Sequence, residues 1–486
     1  MLFRSLWLSV PWGDFSQSRG GYHLVWPRDL VETAGALIAL EAYGEARDTL
    51  RYLIATQQSD GRWFQNQWLG GAPFWQGVQL DEAGFPILLA SALREKNELG
   101  DIPVADAVKR AAGFIVRQGP STQQDRWVED AGVNIFTLVV AIAALVEASA
   151  FLDGEAKAFA LRLADYWNAR LESWTFVEDT PLARQFGVRG YYIRTLPVGA
   201  LTTKEALSEP VPIKNLINDP DLPASAQVAA DFLQLARFGL RRADDPNIRD
   251  SLKIIDALLK TETPAGPVWH RYNDDGYGEH DDGSGFDGDG RGRGWPLLTG
   301  ERGHWAVVAG EDPLLYIEAM MAMSSPLGLI PEQVWDAAPI EKYDLRPGRP
   351  SGSAMPLVWA HAEFVKLCYS RAQGRPIDRP AGTWTRYQGV RPEIDYTIWG
   401  PNMRPRRMPP GHNLTIALLA PAKVRCGADG WKDVRDIETR DTGLGVHIAD
   451  LPYGRLVAGR TVQFTFCWAE TQAWEGRDYE VLVREE

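Results

Sequence analysis

Two neighbouring carboxyl groups follow a tryptophan in residues 125–132, directly before the most apolar helical pattern of the chain. These acids are Glu129 and Asp130, and residues 134–152 continue with apolar side chains at helical spacing. A helix that is apolar on nearly every side is expected inside a large body of the protein. The acids therefore stand at the mouth of a buried helix, where a carboxyl group can give or take a proton. Taken alone, they are more simply explained as caps that complement the helix dipole.

Two further stretches place charged residues beside aromatic ones. Trp26, Arg28 and Asp29 stand at the start of a predicted helix, where an ordinary ion pair would also explain the two charges. Glu332 lies in a loop, between a proline and a tryptophan. Alone, it is most simply a surface acid, so none of these residues indicates a function by itself.

A fourth stretch, residues 269–275, contains Arg271 and leads into a run rich in glycine and aspartate. Asp287 and Asp289 in that run could suggest a calcium loop. However, Leu298 stands where such a loop has its glutamate. We interpret the run as a solvated or substrate-facing loop, and the sequence predicts no metal site and no cofactor.

Composition limits what these residues can act on. The net charge of -13 argues against nucleic acid or an anionic membrane as the partner. No apolar run is long enough to span a membrane, which takes roughly 18 residues or more. Many of the 19 tryptophans neighbour glycine or charged residues, and flat rings beside hydrogen-bonding groups suit sugars.

The cysteines and the first residues bear on the compartment. Three scattered cysteines show neither metal spacing nor a disulfide framework and fit a reduced compartment. The first twelve residues do not have the pattern of a signal peptide. We therefore expect a cytoplasmic protein, and we expect it to be a monomer.

Helical patterns recur in pairs, in which one member is apolar and alanine-rich and the other carries more charge. This pattern predicts two concentric layers of helices. The long connections between pairs are rich in glycine, tryptophan and aspartate, and we expect them on one face around a pocket. The predicted helices span residues 28–43, 45–57, 81–96, 104–118, 134–152, 155–173, 224–240, 246–261, 297–309, 313–324 and 353–373.

The pattern changes from about Pro376 onwards. Short runs typical of β-strands, such as 414–419 and 462–468, alternate there with glycine, proline and aspartate. The sequence therefore predicts a mainly α-helical domain over residues 1–375 and a small all-β domain over residues 376–486.

Three motifs together resemble glycoside hydrolase family fifteen, the glucoamylases and glucodextranases, and especially its bacterial branch. The motifs are Tyr-His-Leu-Val-Trp-Pro-Arg-Asp from Tyr22, Pro-Leu-Leu-Thr-Gly-Glu-Arg-Gly-His from Pro296, and Gly-Leu-Ile-Pro-Glu-Gln-Val-Trp-Asp from Gly328. The resemblance covers about residues 8–375, and the β domain is similar to the C-terminal extension of the bacterial branch. It implies an (α/α)6 barrel with a pocket at one end. It also implies hydrolysis of α-glucans from non-reducing ends, with inversion and release of β-glucose.

The resemblance assigns roles to individual residues. Inversion uses two carboxyl groups, roughly 6.5–9.5 Å apart, of which one protonates the leaving oxygen and one activates water. Glu332 matches the general base, and Tyr22 matches the tyrosine that helps to hold the water. The residues that match sugar-binding positions are Arg28 and Asp29 for the terminal glucose, Trp26, Trp75 and Trp127 as stacking or wall residues, and Arg271 near the cleaved bond.

One position departs from the family pattern. The acid loop of the family reads Trp-Glu-Glu with the first glutamate as general acid, whereas this chain has Val128 there, followed by Glu129. Losing a general acid typically removes about 10²–10⁴-fold in rate. Two explanations would keep such an enzyme active. Either Glu129 or Asp130 reaches the leaving oxygen in place of the missing acid, or the substrate has a leaving group that needs little acid help. The alternatives are a glucan-binding relative without catalysis and a trehalase of the same family.

The beginning of the chain also differs from the bacterial branch, which carries a β-sandwich and a first barrel helix ahead of the Ser-Val-Pro-Trp-Gly stretch. Neither is found here, and the pattern predicts eleven barrel helices rather than twelve. We therefore expect a barrel that is incomplete at its N-terminus, with an apolar seam exposed.

Overall fold

The computed structural model describes residues 24–201, 204–454 and 456–484. Helices dominate up to residue 387, and strands dominate from residue 396. In chain order, the α-helices of these residues are α1 (Pro27–Ala39), α2 (Tyr43–Thr56), α3 (Leu80–Glu95), α4 (Ala105–Gln118), α5 (Ile135–Ala148), α6 (Gly154–Thr175), α7 (Pro181–Phe186), α8 (Leu233–Arg237), α9 (Pro246–Leu258), α10 (Pro296–Ala309), α11 (Leu314–Met323), α12 (Val358–Gln373) and α13 (Ala381–Tyr387).

Six of these helices form a closed inner ring. α1, α3, α5, α8, α10 and α12 each pack against the next, and α12 packs against α1. Every residue of α5 is buried, as expected for a helix that is apolar on all sides. The side chain of Asn134 caps α5 by accepting a hydrogen bond from the Thr137 N–H at 3.1 Å. This cap fixes the start of the helix directly after the acid loop.

The outer layer consists of α2, α4, α6, α9 and α11. Among them α4 is clearly amphipathic, because it buries Val108 and Ala112 but exposes Lys109 and Arg110. No described helix packs against both α12 and α1 from outside. Residues 24–201, 204–454 and 456–484 thus provide six inner and five outer helices of an α/α barrel, and the predicted fold class is confirmed.

The long connections meet at one end of the ring, where the inner helices begin. Arg28 of α1 donates a hydrogen bond to Asp81 of α3 at 3.1 Å. Asn134, before α5, donates one to Asp231, before α8, at 2.7 Å. Because the first residues of the inner helices contact one another, the loops that lead into them surround the same space.

The predicted helix over residues 224–240 is wrong for most of its length. Short 3-10 turns occupy Ala224–Ala226 and Ala230–Phe232, and the α-helix is limited to Leu233–Arg237. The backbone between these turns is hydrogen-bonded to a distant loop instead, because the Val228 N–H donates to the Asn273 side chain at 2.8 Å. Tertiary hydrogen bonds have therefore overridden the local helical pattern.

The prediction for the last barrel helix began too early. Residues 353–357 are not helical, and α12 starts at Val358. Pro356 disfavours a helical conformation in the residue before it. The short helices α7 and α13 were not predicted.

Short antiparallel ribbons connect the helices. They are β1 (Asn66–Gln67) with β2 (Pro73–Trp75), β3 (Val133–Asn134) with β6 (Thr195–Leu196), β4 (Phe176–Glu178) with β5 (Gly190–Tyr192), and β7 (Lys260–Thr263) with β8 (Gly266–Trp269).

Two sheets make up the C-terminal region. One has the strand order β10-β17-β16-β12-β13 and the other the order β14-β15-β11-β9. The sheets enclose an apolar cluster of their own, and Arg162 of α6 ties them to the barrel through Asp450 at 2.8 Å. The strands are β9 (Tyr396–Trp399), β10 (Arg407–Met408), β11 (Asn413–Leu418), β12 (Ala422–Ala428), β13 (Lys432–Glu438), β14 (Arg440–Asp441), β15 (His447–Asp450), β16 (Thr461–Trp468) and β17 (Tyr479–Val483).

No helix among the described residues is both long and apolar enough to cross a bilayer.

Candidate active site

The loop before α5 is a tight turn built around Asp125. Its side-chain Oδ1 accepts hydrogen bonds from the N–H groups of Trp127 and Glu129, both at 3.0 Å. Val128 is held between them with φ +71°. A β-branched residue rarely adopts this left-handed conformation, which typically costs about 1–3 kcal/mol. The strain lies at Val128, the position to which the resemblance assigns the family's general acid.

Two buried arginines fix this loop from either side. Arg126 forms ion pairs with Glu301 at 2.6 Å and with Asp231 at 2.7 Å. Arg194 contacts carboxylate oxygens of Asp125, Glu129 and Asp130 at distances between 2.8 and 3.1 Å. Because both guanidinium groups are fully buried, the loop is held by charge-assisted hydrogen bonds that water does not weaken.

Glu129 is the most heavily bonded acid of the loop. Besides Arg194, its carboxylate accepts hydrogen bonds from Arg271 at 3.0 Å, from Tyr272 at 2.5 Å and from Asn215 at 3.0 Å. Burial raises the pKa of Glu129, and the charges of Arg271 and Arg194 oppose that rise. Both oxygens already act as acceptors, so this carboxyl group is better suited to accept hydrogen bonds than to donate a proton.

Asp130 is less enclosed by donors than Glu129. Arg194 contacts its Oδ2 at 2.8 Å, and the Lys214 ammonium lies 3.9 Å from its Oδ1. Burial raises the pKa of Asp130, while Arg194 lowers it. The carboxylate of Asp130 therefore has fewer hydrogen-bond donors than that of Glu129.

Arg28 and Asp29 lie at the start of α1, which α3 separates from α5 in the ring. Arg28 donates to Gln79 at 2.6 Å and to Asp81 at 3.1 Å, and it lies 3.4 Å from Asp29. All of these side chains are buried. The acids that face this guanidinium hold it in one orientation, as a fixed donor for sugar hydroxyls requires.

Aromatic rings connect the two charged clusters. The ring of Trp359 lies 5.4 Å from the Arg28 guanidinium and stacks on Trp127 at 6.5 Å between centroids. Trp127 in turn meets the edge of Trp295 at 5.1 Å. The indole N–H groups of these three tryptophans are buried without a hydrogen-bond partner among the described residues. Buried donors are normally satisfied, so these N–H groups mark a place for water or a hydroxylated ligand.

The Glu332 loop joins the site through its backbone. Its N–H donates to the Ala354 carbonyl at 2.8 Å, and the Val334 N–H donates to the Gly294 carbonyl at 2.9 Å, next to Trp295. The Glu332 side chain is buried, so it is not the surface acid that the simplest interpretation of the sequence predicted. Nearby, Asp336 is fixed by His270 at 2.8 Å. Burial alone would raise the pKa of Asp336, but hydrogen bonds from His270 and Arg293 lower this pKa below its ordinary value.

The structure thus brings together most of the residues that the resemblance singled out. Arg271 reaches both Glu129 and the ring of Trp127, which lies 5.4 Å from its guanidinium carbon. Trp26 and Trp75 meet edge to face with centroids 6.3 Å apart. Tyr22 lies outside the described residues, so its predicted role stays a prediction.

The acidic run after Tyr277 forms ion pairs. Asp281 lies 3.2 Å from both Arg291 and Arg293. In the part of the chain that the structure describes, no group of three or more His, Cys, Asp or Glu residues is placed to hold a metal ion.

Comparison with known proteins decides the family. The family model described as "Glycosyl hydrolases family 15" matches residues 14–369. The chain belongs to this family. A glucoamylase from Clostridium sp. (strain G0005) is 38% identical over 390 residues, which cover 78% of this chain and 52% of that protein.

Solved structures agree with the family assignment. A bacterial glucoamylase complexed with acarbose has a TM-score of 0.69 at 36% identity, covering 79% of this chain and 54% of that one. The glucoamylase of Hormoconis resinae shares the fold, with a TM-score of 0.51 at 13% identity over 96% of this chain and 89% of that one. The chain spans about half the length of these two bacterial relatives, 52% and 54%.

Several residues of the family 15 site were not predicted from the sequence. Arg194 interrupts an apolar segment after β5, and an isolated arginine among buried residues could have indicated an ion pair. Tyr272 follows Arg271 directly, yet nothing in its neighbours indicates that it reaches Glu129. Asn215 and Trp359 gave no signal, because their contacts depend on how distant loops meet.

Proposed function

We propose that this chain is an exo-acting α-glucosidase of the glucoamylase type, which acts on α-glucans and oligosaccharides, inverts the anomeric centre and releases β-glucose. We further propose that protonation of the leaving group is impaired. The observation that carries the proposal is the assembly of two charged clusters, Arg28 with Asp29 and Glu129 with Arg271, around Trp127 and Trp359 in a family 15 barrel.

Substrate binding follows from the fixed donors and acceptors. The terminal glucose would place its hydroxyl groups against Arg28 and Asp29, which their neighbours already orient. The clamp of Arg271 and Glu129 would hold hydroxyls near the bond to be cleaved. The three unpartnered indole N–H groups would gain hydrogen bonds from the sugar or from waters around it, which favours a hydroxylated ligand over an apolar one.

In the reaction, Glu332 would remove a proton from a water molecule. The water oxygen forms a bond to the anomeric carbon while the bond to the leaving oxygen breaks on the other face, which inverts the centre. The leaving oxygen must then take up a proton. Val128 has none to give, and Glu129 is engaged as an acceptor by Arg194, Arg271 and others. Solvent water or Asp130 would supply the proton, at the cost of rate.

The leaving group provides the test. Fluoride leaves with little acid help, whereas the sugar oxygen of maltose needs a proton. We expect α-glucosyl fluoride to be hydrolysed and maltose to be about 10²–10⁴-fold slower than with a general acid. Proton NMR should show the β anomer of glucose first. Equal inactivity on both substrates, or first appearance of the α anomer, would contradict the proposal.

A second candidate function is glucan binding without catalysis, because the side chain of Val128 has no proton to donate. This candidate predicts calorimetric binding of maltose or isomaltose with no glucose released from maltose, isomaltose, dextran, starch, trehalose or α-glucosyl fluoride. Release of glucose from any of them would exclude it, and the substrate that is used would define the linkage.

A further inference from the structure

A cavity separate from the candidate site lies between α1, α3 and residues 377–380, which we call the closing segment. Together with its mouth, the cavity has a volume of about 730 Å³. Pockets of roughly 300–1,000 Å³ are typical for small ligands. The candidate site is built on the first residues of the inner helices, whereas the cavity is lined from the second turn of α1 and α3 onwards. The cavity therefore lies toward the other end of the ring.

The walls of this cavity are mainly apolar. Its buried apolar lining residues are Val31, Ile38, Phe85, Leu89 and Phe238. Two small residues also line it: Ala92 of α3 has only a methyl group, and Gly35 of α1 has no side chain. A methyl group at Gly35 would already come within 3.4 Å of the Lys366 side chain, so glycine keeps this space open. An apolar ligand that displaces water from such walls is bound through the hydrophobic effect.

The buried charges of the cavity are already paired. Lys366 is fully buried, and its ammonium group bonds to the Glu32 carboxylate and lies 2.9 Å from Asp378. Arg237 reaches the same aspartate at 2.6 Å. These pairs leave no free charge for a ligand. Because Asp378 belongs to the closing segment, they hold that segment against the helices and keep the cavity preformed.

The cations at the mouth of the cavity lack such partners. Lys96 is exposed and Arg379 is half-buried, and neither forms an ion pair with a described residue. The Arg379 Nε–H donates to the Arg237 carbonyl at 3.2 Å, and the guanidinium carbon lies 4.4 Å from the ring of Trp384. These contacts orient the guanidinium group without compensating its charge, and burial lowers the pKa of Arg379 accordingly. An anionic group would supply the missing partner.

One acid, Glu95, also stands at the mouth. Its carboxylate accepts a hydrogen bond from the Ala381 N–H at 3.2 Å. Desolvation, together with the charge of Glu147, raises the pKa of Glu95 to about 6. The positive charge of Lys96 compensates the negative charge of Glu95, and the charge of Arg379 remains. The mouth is therefore positive, although the whole chain has a net charge of -13.

We propose that this cavity binds an amphiphilic carboxylate, a molecule with one anionic head group and an apolar chain, such as a medium-chain fatty acid. The chain would lie against the apolar residues of α1 and α3. The carboxylate would accept hydrogen bonds from the Arg379 guanidinium and from the Lys96 ammonium. This site is independent of the proposed function, because none of its residues belongs to the candidate active site.

Titration calorimetry of the full chain at pH 8 tests the inference with three probes. Decanoate has both the apolar chain and the negative charge, and it should bind. Acetate keeps the charge but lacks the chain, and protonated decylamine keeps the chain but has the opposite charge. Both should therefore bind at least about tenfold more weakly than decanoate.

Two variants locate the ligand. Ala92→Phe would fill the cavity from α3, and Lys96→Glu would reverse a charge at its mouth on an exposed side chain. Each should weaken decanoate binding about tenfold. The matched controls are Ala322→Phe on α11 and Lys157→Glu on α6, both at exposed positions outside the cavity. They should bind decanoate like the parent, and thermal unfolding without ligand should show that all four variants are folded.

Equal affinities for decanoate and decylamine would overturn the inference, because the charge at the mouth would then not select the ligand. Undiminished binding of decanoate by Lys96→Glu, or equal losses in Lys96→Glu and Lys157→Glu, would also overturn it. The same holds if the parent shows no binding of decanoate at concentrations up to about 1 mM. None of these results would bear on the hydrolysis of α-glucosyl fluoride, which tests the proposed function separately.

Discussion

Buried glutamates at two levels of the barrel are in opposite situations. Glu363 of α12 faces Arg237 at 2.8 Å, His304 at 2.7 Å and Lys366 at 3.4 Å. Neither carboxylate oxygen of Glu82, at the start of α3 beside the proposed sugar site, accepts a hydrogen bond from a described side chain, and the nearest guanidinium nitrogen of Arg28 lies 3.8 Å away. Both side chains are at most 1% exposed. Pairing rather than burial therefore distinguishes the two positions.

The difference appears in the pKa of each group. Burial would raise the pKa of Glu363, but Arg237, His304 and Lys366 lower it strongly. Burial raises the pKa of Glu82 well above its ordinary value, and the charge of Arg28 only partly opposes this. The deeper level of the barrel pairs its buried charges, whereas the level of the proposed sugar site also holds polar groups that lack a hydrogen bond among the described residues, such as the indole N–H groups of Trp127, Trp295 and Trp359. Such groups can bind a ligand at the expense of stability.

The largest expected effect comes from neutralising the two glutamates in parallel. Glu363→Gln should lose about 3 kcal/mol in the free energy of unfolding, because Arg237 and Lys366 each lose one buried carboxylate partner and keep Asp378. Glu82→Gln should leave this free energy unchanged or raise it, because the cost of burying this carboxyl group exceeds what the charge of Arg28 returns. Denaturant unfolding at pH 7 measures both. A similar loss of unfolding free energy in the two variants would contradict the view that pairing distinguishes the two glutamates.

The same pair of variants makes the comparison sharper as a function of pH. Glu363 has a lowered pKa in the folded state, so its contribution is present above the ordinary value of 4.5 and is lost as the pH falls below it. Glu82 has a raised pKa, so its contribution is present below 4.5 and is lost as the pH rises. Each substitution should remove the corresponding slope from the stability profile.

A smaller effect is expected at Val128. Its φ of +71° is unfavourable for a β-branched residue but not for glycine. Val128→Gly should therefore raise the free energy of unfolding by about 1 kcal/mol, even though a side chain is lost. Val365→Gly in α12 is the control, and it should lower stability by about 1 kcal/mol. Destabilisation by both would show that the loop imposes no strain on Val128.

Sequence patterns predicted the barrel because its layers repeat. α5 is apolar all round and α4 on one face only, and these patterns arise directly from their burial. The prediction failed at residues 224–240, where the Asn273 side chain binds the Val228 backbone. No local pattern encodes a hydrogen bond between residues so far apart in the chain.

In the candidate site, too, local motifs could be predicted from the sequence but contacts between distant loops could not. Trp127, Glu129 and Arg271 were identified by motif, and the structure places them in contact. Arg194 and Tyr272, which also bind Glu129, lack a motif of their own because only the folded loops bring them there. The motif located the acid, and the structure showed that hydrogen-bond donors surround it.

Restoration of a carboxyl group at position 128 tests the central claim most directly. Val128→Glu and its isosteric control Val128→Gln should be compared with the parent for glucose release from maltose. If the missing proton donor limits an otherwise complete site, Val128→Glu should be about 10²–10⁴-fold faster than Val128→Gln, which should stay near the parent. Equal rates in all three proteins would contradict the claim that Val128 is what limits this family 15 site.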